Sequence, residues 1–202
     1  MEDWRDAIWA AMPERVRPED FERRLTLLLD HVSAGDRVLD LGCGDGAFAA
    51  QLAGAGALVT GADVSGEALR RSAVRAPAAH LVQLQEGAGL PFGEDAFDVV
   101  WLGETVEHVA DVTGLLAEVR RVLRWGGWLV VTTPNQPRLL VAVEALRGAP
   151  LERRLDPRAD HLRFFTARTL RAMLSGAGFA EVELRVVGGV PLARASLHAS
   201  AR

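Results

Sequence analysis

Three stretches of this 202-residue chain carry residue types at a spacing that chemistry can use. The first is Val38-Leu39-Asp40-Leu41-Gly42-Cys43-Gly44-Asp45-Gly46, where Gly42, Gly44 and Gly46 alternate directly after an apolar run. Alternating glycines at a strand-to-helix turn let a ligand approach the backbone, and the following helix offers its N-terminal amides. Asp40 sets a carboxylate ahead of the glycines, which suits a ligand carrying an ammonium group and is awkward for a pyrophosphate. The second is Asp63, which ends another apolar run 19 residues after Gly44. A carboxylate there can accept both hydroxyls of a ribose. The third is Glu104-Thr105-Val106-Glu107-His108. On a helical turn, positions 104, 107 and 108 share one face, being i, i+3 and i+4. Glu104, Glu107 and His108 would then suit Mg²⁺ or Mn²⁺, with water or substrate oxygens completing the shell. Asp160-His161-Leu162-Arg163-Phe164, just before a late helix, could offer a fourth ligand. His108 and His161 are also the candidates for a general base. The metal-free alternative is that the Glu-His pair orders its loop or faces substrate. His31, His80 and His198 read as surface or packing residues, and Cys43 as a loop filler with nothing near it to activate a thiol.

The elements that must position these residues alternate strand and helix. Residues 14–33 have helical apolar spacing through Phe21, Leu25, Leu28 and Leu29. Strands follow at 37–41, 57–62, 81–84, 97–102, 128–132 and 182–187, and a seventh in the last fifteen residues is only weakly signalled. Helices intervene at 46–53, 65–75 (Ser65 as N-cap), 112–124 and 166–175, with Gly126-Gly127 read as the stop of the helix at 112–124. Such alternation predicts an α/β fold. It would be Rossmann-like and doubly wound, a mainly parallel sheet with helices on both faces. Its ligand belongs beyond the carboxyl ends of the first strands. The expected organisation is an N-terminal helical segment, 1–34, and one domain, 35–202. The least regular stretch, 134–165, reads either as a lid over the site or as a solvated loop. Across 147–171, seven arginines (147, 153, 154, 158, 163, 168 and 171) face Glu152, Asp156 and Asp160, a local balance of +4.

Composition narrows the classes. Hydrophobic residues make up 49% and charged residues 25%, enough apolar material for a core that needs no disulfide or metal staple. One cysteine excludes a disulfide framework and a cysteine zinc cluster. All 23 basic residues are arginine, which excludes a Schiff-base lysine. A net charge of −4 argues against a dedicated nucleic-acid binder. No apolar run approaches a membrane span, and the acidic N-terminus lacks an apolar leader core, so the expected location is cytoplasmic. Oligomeric state has no signal here.

At this point the chain resembles the class I S-adenosylmethionine-dependent methyltransferases over roughly residues 36–185. Val38–Gly46 resembles their cofactor loop and Val59–Asp63 their ribose strand. Leu90-Pro91-Phe92 with Phe97–Val100, Glu104–Val109 and Leu123–Gly127 resemble the segments that follow, although Trp125 stands where the family usually has proline. A nicotinamide enzyme would instead favour G-x-G-x-x-G with no acid ahead of it. The resemblance implies S-adenosyl-L-methionine as cofactor. It is held by Asp40, Gly42, Cys43, Gly44, Gly46, Asp63 and Val64, with Glu86 and Gly87 at the adenine and Leu102 and Gly103 at the methionine part. The family more often has aspartate and alanine at positions 86 and 87. E-x-x-E-H with the later D-H is similar to two groups within the family, the ubiquinone-biosynthesis O-methyltransferases and the metal-dependent RNA 3′-terminal 2′-O-methyltransferases. Val131–Asn135 also resembles the RNA group. This implies Glu104, Glu107, His108 and His161 as ligands of Mg or Mn. The expected activity is O-methylation of a small-molecule metabolite. The alternatives are methylation of RNA 3′ ends and a non-catalytic cofactor-binding partner or sensor module.

Overall fold

In the computed structural model, residues 4–148, 152, 156, 160–187 and 196–202 are described. Helices α1 (Trp4–Ala11) and α2 (Phe21–Leu29) come first. Then follow β1 (Arg37–Leu41), α3 (Ala47–Gly54), β2 (Leu58–Asp63), α4 (Gly66–Arg75), β3 (His80–Gln83) and β4 (Phe97–Gly103). After a short 3₁₀ turn at Val106–His108 come α5 (Val112–Val122), β5 (Leu123–Pro134) and α6 (Arg138–Arg147). The chain closes with α7 (Ala167–Gly176), β6 (Glu183–Val187) and β7 (Ser196–Ala201). The seven strands form one sheet in the order β3-β2-β1-β4-β5-β7-β6. β1 to β5 run parallel, and β7 lies antiparallel between β5 and β6. The order reverses beside β1, which places the crevice for a ligand at the carboxyl ends of β1 and β4.

Alternation along the strands assigns each residue to a face. Leu39, Leu41, Val100, Leu102, Leu129 and Val131 join Leu116 and Val119 of α5 and Leu170 and Leu174 of α7 in one buried layer. Val38, Val99, Trp101 and Val130 point the other way and meet Leu28 of α2 and Phe48 and Leu52 of α3. Each fully buried leucine contributes about 2 kcal/mol, so the two layers fix which side chains of the sheet remain for function.

Three expectations need correction. The helix expected at 14–33 is shorter, α2 spanning only Phe21–Leu29, and a separate helix, α1, precedes it. Between them the chain is strapped to α4, because the Arg71 guanidinium donates to the carbonyls of Met12 and Pro13, and Arg75 to that of Val16. The Gly126-Gly127 pair does not stop α5, whose last residue is Val122. The pair serves the irregularity where Leu123 pairs with Phe97 and Trp128 with Val99, and a Cβ at Gly127 would lie 2.7 Å from the Asp98 carbonyl oxygen. Part of the supposedly irregular 134–165 is the helix α6, none of whose residues is buried. Arg153, Arg154 and Arg158 of the basic stretch lie outside the described residues, as do Gly188, Gly189 and Pro191, the residues that weaken the signal for a seventh strand.

Candidate active site

The glycine loop leaves β1 with Gly42, Gly44 and Gly46 all at positive φ (80°, 54° and 80°). Two of its amides, of Gly42 and Cys43, donate to the Ala62 carbonyl at 2.8 and 3.1 Å, tying the loop to the end of β2. Asp63 is the hub: one carboxylate oxygen accepts from Gly44 N–H at 2.9 Å and the other from Ser65 N–H at 2.9 Å. Ser65 in turn caps α4 by accepting from Ala68 N–H at 3.1 Å. Val64 follows Asp63, and its carbonyl accepts from the Gln83 amide. Cys43 is buried, and burial pushes its thiol upward, as expected for an inert filler.

A helix absent from the sequence reading covers this loop. A Cβ at Gly44 would come within 2.8 Å of the Trp9 indole. Asp6 of α1 accepts from the Ser65 hydroxyl at 2.5 Å and from Glu67 N–H at 3.1 Å. Arg5 forms a two-pronged ion pair with Glu86. Glu86 is mostly exposed, and the space around Gly87 is open. The signal that could have found α1 is the helical spacing of Trp4, Ile8 and Trp9.

Beyond β1 lies a group of buried charges. Asp40, buried, has one carboxylate oxygen without a partner. Burial, and then the neighbouring Asp63, push its pKa up to about 7. Arg24 of α2, 4% exposed, reaches in from the other layer with its guanidinium carbon 4.9 Å from the Phe48 ring centre and 5.7 Å from that of Trp101. Its Nε has no partner, and burial lowers its pKa against the opposing pull of Glu104, Glu107 and Asp40. Glu104 carries a raised pKa from burial, and Arg24 is the largest charge compensating it. Sequence reasoning missed Arg24, because an arginine in an amphipathic helix reads as part of its solvated face.

The third stretch is only partly brought together. The turn covers Val106–His108 and leaves Glu104 outside it at φ 58°. The Glu104 N–H donates to the Thr132 carbonyl at 2.9 Å, so Glu104 is pinned to β5 and stands outside the turn that holds Glu107 and His108. In its place comes the late segment. The Glu107 carbonyl accepts from the N–H groups of Leu162 and Arg163 at 2.7 and 3.0 Å, which docks 160–163 onto the turn. His108 and His161 then meet edge to face with ring centres 4.7 Å apart. One ligand atom each from Glu107, His108 and His161 lies within 4.8 Å of the others. Glu107 is 1% exposed, with one oxygen accepting from Thr133 Oγ1 at 2.9 Å and the other unpartnered. Burial and then Glu104 push its pKa up to about 8. His108 Nδ1 lies 3.0 Å from the Asp160 carbonyl and can only donate to it, which leaves the Nε2 lone pair available. Gly103 and Leu102 link the two groups of charges: Leu102 is wholly buried, and a Cβ at Gly103 would lie 2.6 Å from the Trp101 indole.

Of the remaining histidines, His80 is exposed and His31 packs edge-on to Trp128. His198 is a buried residue, not a surface one. It is 4% exposed on β7, its Nε2 has no partner, and burial together with Arg24 pushes its pKa down to about 4.

The family model of a methyltransferase domain matches residues 9–184. The chain belongs to the class I S-adenosylmethionine-dependent methyltransferases. It is 34% identical over 169 residues to a ubiquinone biosynthesis O-methyltransferase of Thiobacillus denitrificans, covering 80% of this chain and 72% of the relative. Over 124 residues it is 40% identical to the methyltransferase GfsG of Streptomyces halstedii, covering 58% and 42%. Its fold matches a SAM-dependent methyltransferase of Archaeoglobus fulgidus with a TM-score of 0.69 at 17% identity, covering 89% and 91%. This methyltransferase has no helix, among the described residues, long and apolar enough to cross a membrane.

Proposed function

We propose that this methyltransferase transfers the methyl group of S-adenosyl-L-methionine to a hydroxyl oxygen of a small metabolite. The observation that carries the reading is the convergence of Glu107, His108 and His161 one turn beyond Gly103. The cofactor's ribose would sit on Asp63 and its adenine along Glu86 and Gly87. Its amino-acid end is a zwitterion, and the unpartnered atoms of Asp40, Glu104 and Arg24 match it: carboxylates for the ammonium, a guanidinium for the carboxylate. A sulfonium methyl is already activated, so the protein's task is to align donor and acceptor and exclude water. The acceptor oxygen loses its proton to His108 or His161 and attacks the methyl carbon. Bound S-adenosylmethionine would supply the methyl group and leave as S-adenosylhomocysteine, the carbon–sulfur electron pair remaining on sulfur.

Glu107, His108 and His161 also fit a divalent cation such as Mg²⁺ or Mn²⁺. The orphaned Glu107 oxygen is an anionic donor, and Nε2 of His108 a neutral one. When bound, such an ion would lower the pKa of a coordinated hydroxyl. Glu104 would serve the cofactor side.

The test is transfer of labelled methyl from S-adenosylmethionine to an ortho-diphenol, a monophenol, a primary amine and an RNA 3′ end, each with Mn²⁺ or with chelator. Transfer to the diphenol that chelator suppresses is expected. Labelling of RNA alone, or of the amine alone, would overturn the small-molecule hydroxyl reading, and activity indifferent to chelator would remove the metal.

A further inference from the structure

Glu107 is held by a residue to which the mechanism above gives no part. Its Oε2 accepts from Thr133 Oγ1 at 2.9 Å, and its Oε1 has no partner. Both residues are buried, Glu107 at 1% and Thr133 at 0% exposure.

The fold fixes Thr133 more firmly than it fixes Glu107. β4 pairs with β5 as far as Gly103 opposite Thr132, so Thr133 stands one residue past the last of these pairs. There β7 continues the ladder, pairing Leu197 with Thr133 and Ser196 with Pro134. The C-terminal strand thus holds the Thr133 backbone at the open carboxyl end of the sheet. A β-branched side chain has few χ1 choices, so a fixed backbone also fixes the hydroxyl. Glu107 lies on the short 3₁₀ turn Val106–His108, and a glutamate side chain has several rotatable bonds to settle. The hydroxyl therefore sets where the carboxylate lies, and not the reverse. Packing does not ask for a hydroxyl here, since valine has nearly the same shape and brings no polar atom into the core. A carboxylate kept for structure alone would be satisfied at both oxygens. This one is tied at one oxygen and left free at the other, beside His108 and His161.

We propose that Thr133 is a positioning residue for the acceptor site: its hydroxyl holds Oε2 of Glu107 and leaves Oε1 as the oxygen that a divalent cation takes together with His108 and His161. The proposal rests on the reading of those three residues given above. β7 thereby acts on the acceptor site without touching it, through the backbone of Thr133. Carboxylates that bind metals are themselves hydrogen-bonded, and loss of such an outer partner typically lowers metal affinity about 10- to 100-fold.

The experiment titrates Mn²⁺ by calorimetry, at one pH, into the wild type, T133V and T133S. S-adenosylhomocysteine is titrated into the same proteins, and thermal unfolding establishes that each is folded at the working temperature. T133V should bind Mn²⁺ about 10- to 100-fold more weakly. T133S keeps the hydroxyl and loses the methyl, and should stay within about threefold of the wild type. S-adenosylhomocysteine affinity should stay within about twofold in both. Mn²⁺ affinity then follows the hydroxyl, whereas a packing role would follow the methyl and weaken T133S at least as much as T133V. T133A and T133S differ only in the hydroxyl, and they supply the same comparison if T133V does not fold. Unchanged Mn²⁺ affinity in T133V, an equal loss in T133S, or a parallel loss of S-adenosylhomocysteine binding would overturn the proposal and leave the metal reading standing. A wild type that binds S-adenosylhomocysteine and takes no Mn²⁺ would overturn the metal reading itself, and this proposal with it.

Discussion

Asp40 offers a test in which stability and binding must move in opposite directions. Its pKa is raised to about 7 because it is buried and faces Asp63, whereas an exposed aspartate titrates near 4. The folded protein therefore holds a proton on Asp40 that the unfolded chain has released between about pH 4 and pH 7. In that window stability falls as pH rises, and the penalty is complete above about pH 8. A shift of about 3 units at about 1.4 kcal/mol each sets an upper bound near 4 kcal/mol. Relaxation around the charge should leave roughly half of that, about 2 kcal/mol. Asp40→Asn keeps the shape and removes the charge. Its Tm should match the wild type at pH 4 and exceed it by about 4–8 °C at pH 8.5, for a chain of this length. S-adenosylhomocysteine binding should move the other way. Losing a charge-assisted bond to the ligand ammonium costs about 2–3 kcal/mol, a weakening of about 30- to 100-fold at pH 8.5. Thermal unfolding across pH 4–9 and calorimetric titration at pH 8.5 check both arms. A variant less stable than wild type at pH 8.5, or one that gains equally at every pH, would refute the reading of Asp40 as a buried charge held for a ligand. Tight binding with a raised Tm would leave the charge real and the ammonium assignment wrong.

The remaining expectations concern the loop, its hub and the turn. Gly44→Val would force a branched side chain to φ 54° and into the Trp9 indole, and S-adenosylhomocysteine affinity measured by calorimetry should fall at least about tenfold. Asp63→Asn turns an amide N–H₂ toward either Gly44 N–H or Ser65 N–H, both of which now find a carboxylate oxygen; a stability loss of about 1–3 kcal/mol by denaturant titration and weaker cofactor binding are expected together. Glu107→Gln and His161→Ala should each abolish Mn²⁺ binding while leaving S-adenosylhomocysteine affinity within about threefold, as read by titrating each ligand separately.

How far the sequence reached follows from which interactions are local. The glycine loop, Asp40 and Asp63 sit on one strand-turn-helix unit and its neighbour, so their period and spacing reveal them before any long-range contact forms. The strand-helix alternation from Arg37 onward is legible for the same reason, and the doubly wound, mainly parallel sheet follows from handedness. What escaped depends on contacts across the chain. α1 owes its position to polar links with Ser65, Glu67 and Glu86, far away in sequence. Glu104 stands outside the turn because its N–H is claimed by Thr132 of β5, which no i, i+3, i+4 pattern registers. His161 was legible as a ligand candidate, but the backbone bonds from Leu162 and Arg163 that dock it on Glu107 were not. β7 was the weakest strand of the sequence reading because Gly188, Gly189 and Pro191 precede it. Its place between β5 and β6 comes from antiparallel pairing with both.

The distribution of unsatisfied charge in this molecule favours a built binding site over an imperfect core. A folding chain gains nothing from burying Asp40, Glu104 and Glu107 with free oxygens, or Arg24 and His198 with free nitrogens, since each unmade bond costs about 1–3 kcal/mol. Random defects would scatter through the two apolar layers. Of the eight described residues with such atoms His31 and Ser72 lie elsewhere, but these five and Thr132 gather at the carboxyl ends of β1, β4 and β5 and on the strand and helix that flank them. They also divide by chemistry across the sheet. The opposite orientations of Thr132 and Thr133 leave Arg24 and His198 on one side, and Glu107 with its two neighbouring histidines on the other. The first set complements a zwitterion and the second an oxygen nucleophile. Gly103 lies between them, where a side chain would strike Trp101. Methyl transfer needs donor and acceptor in line and in contact, so on the reading proposed above the two ligands must meet at the carboxyl end of β4, beside Gly103.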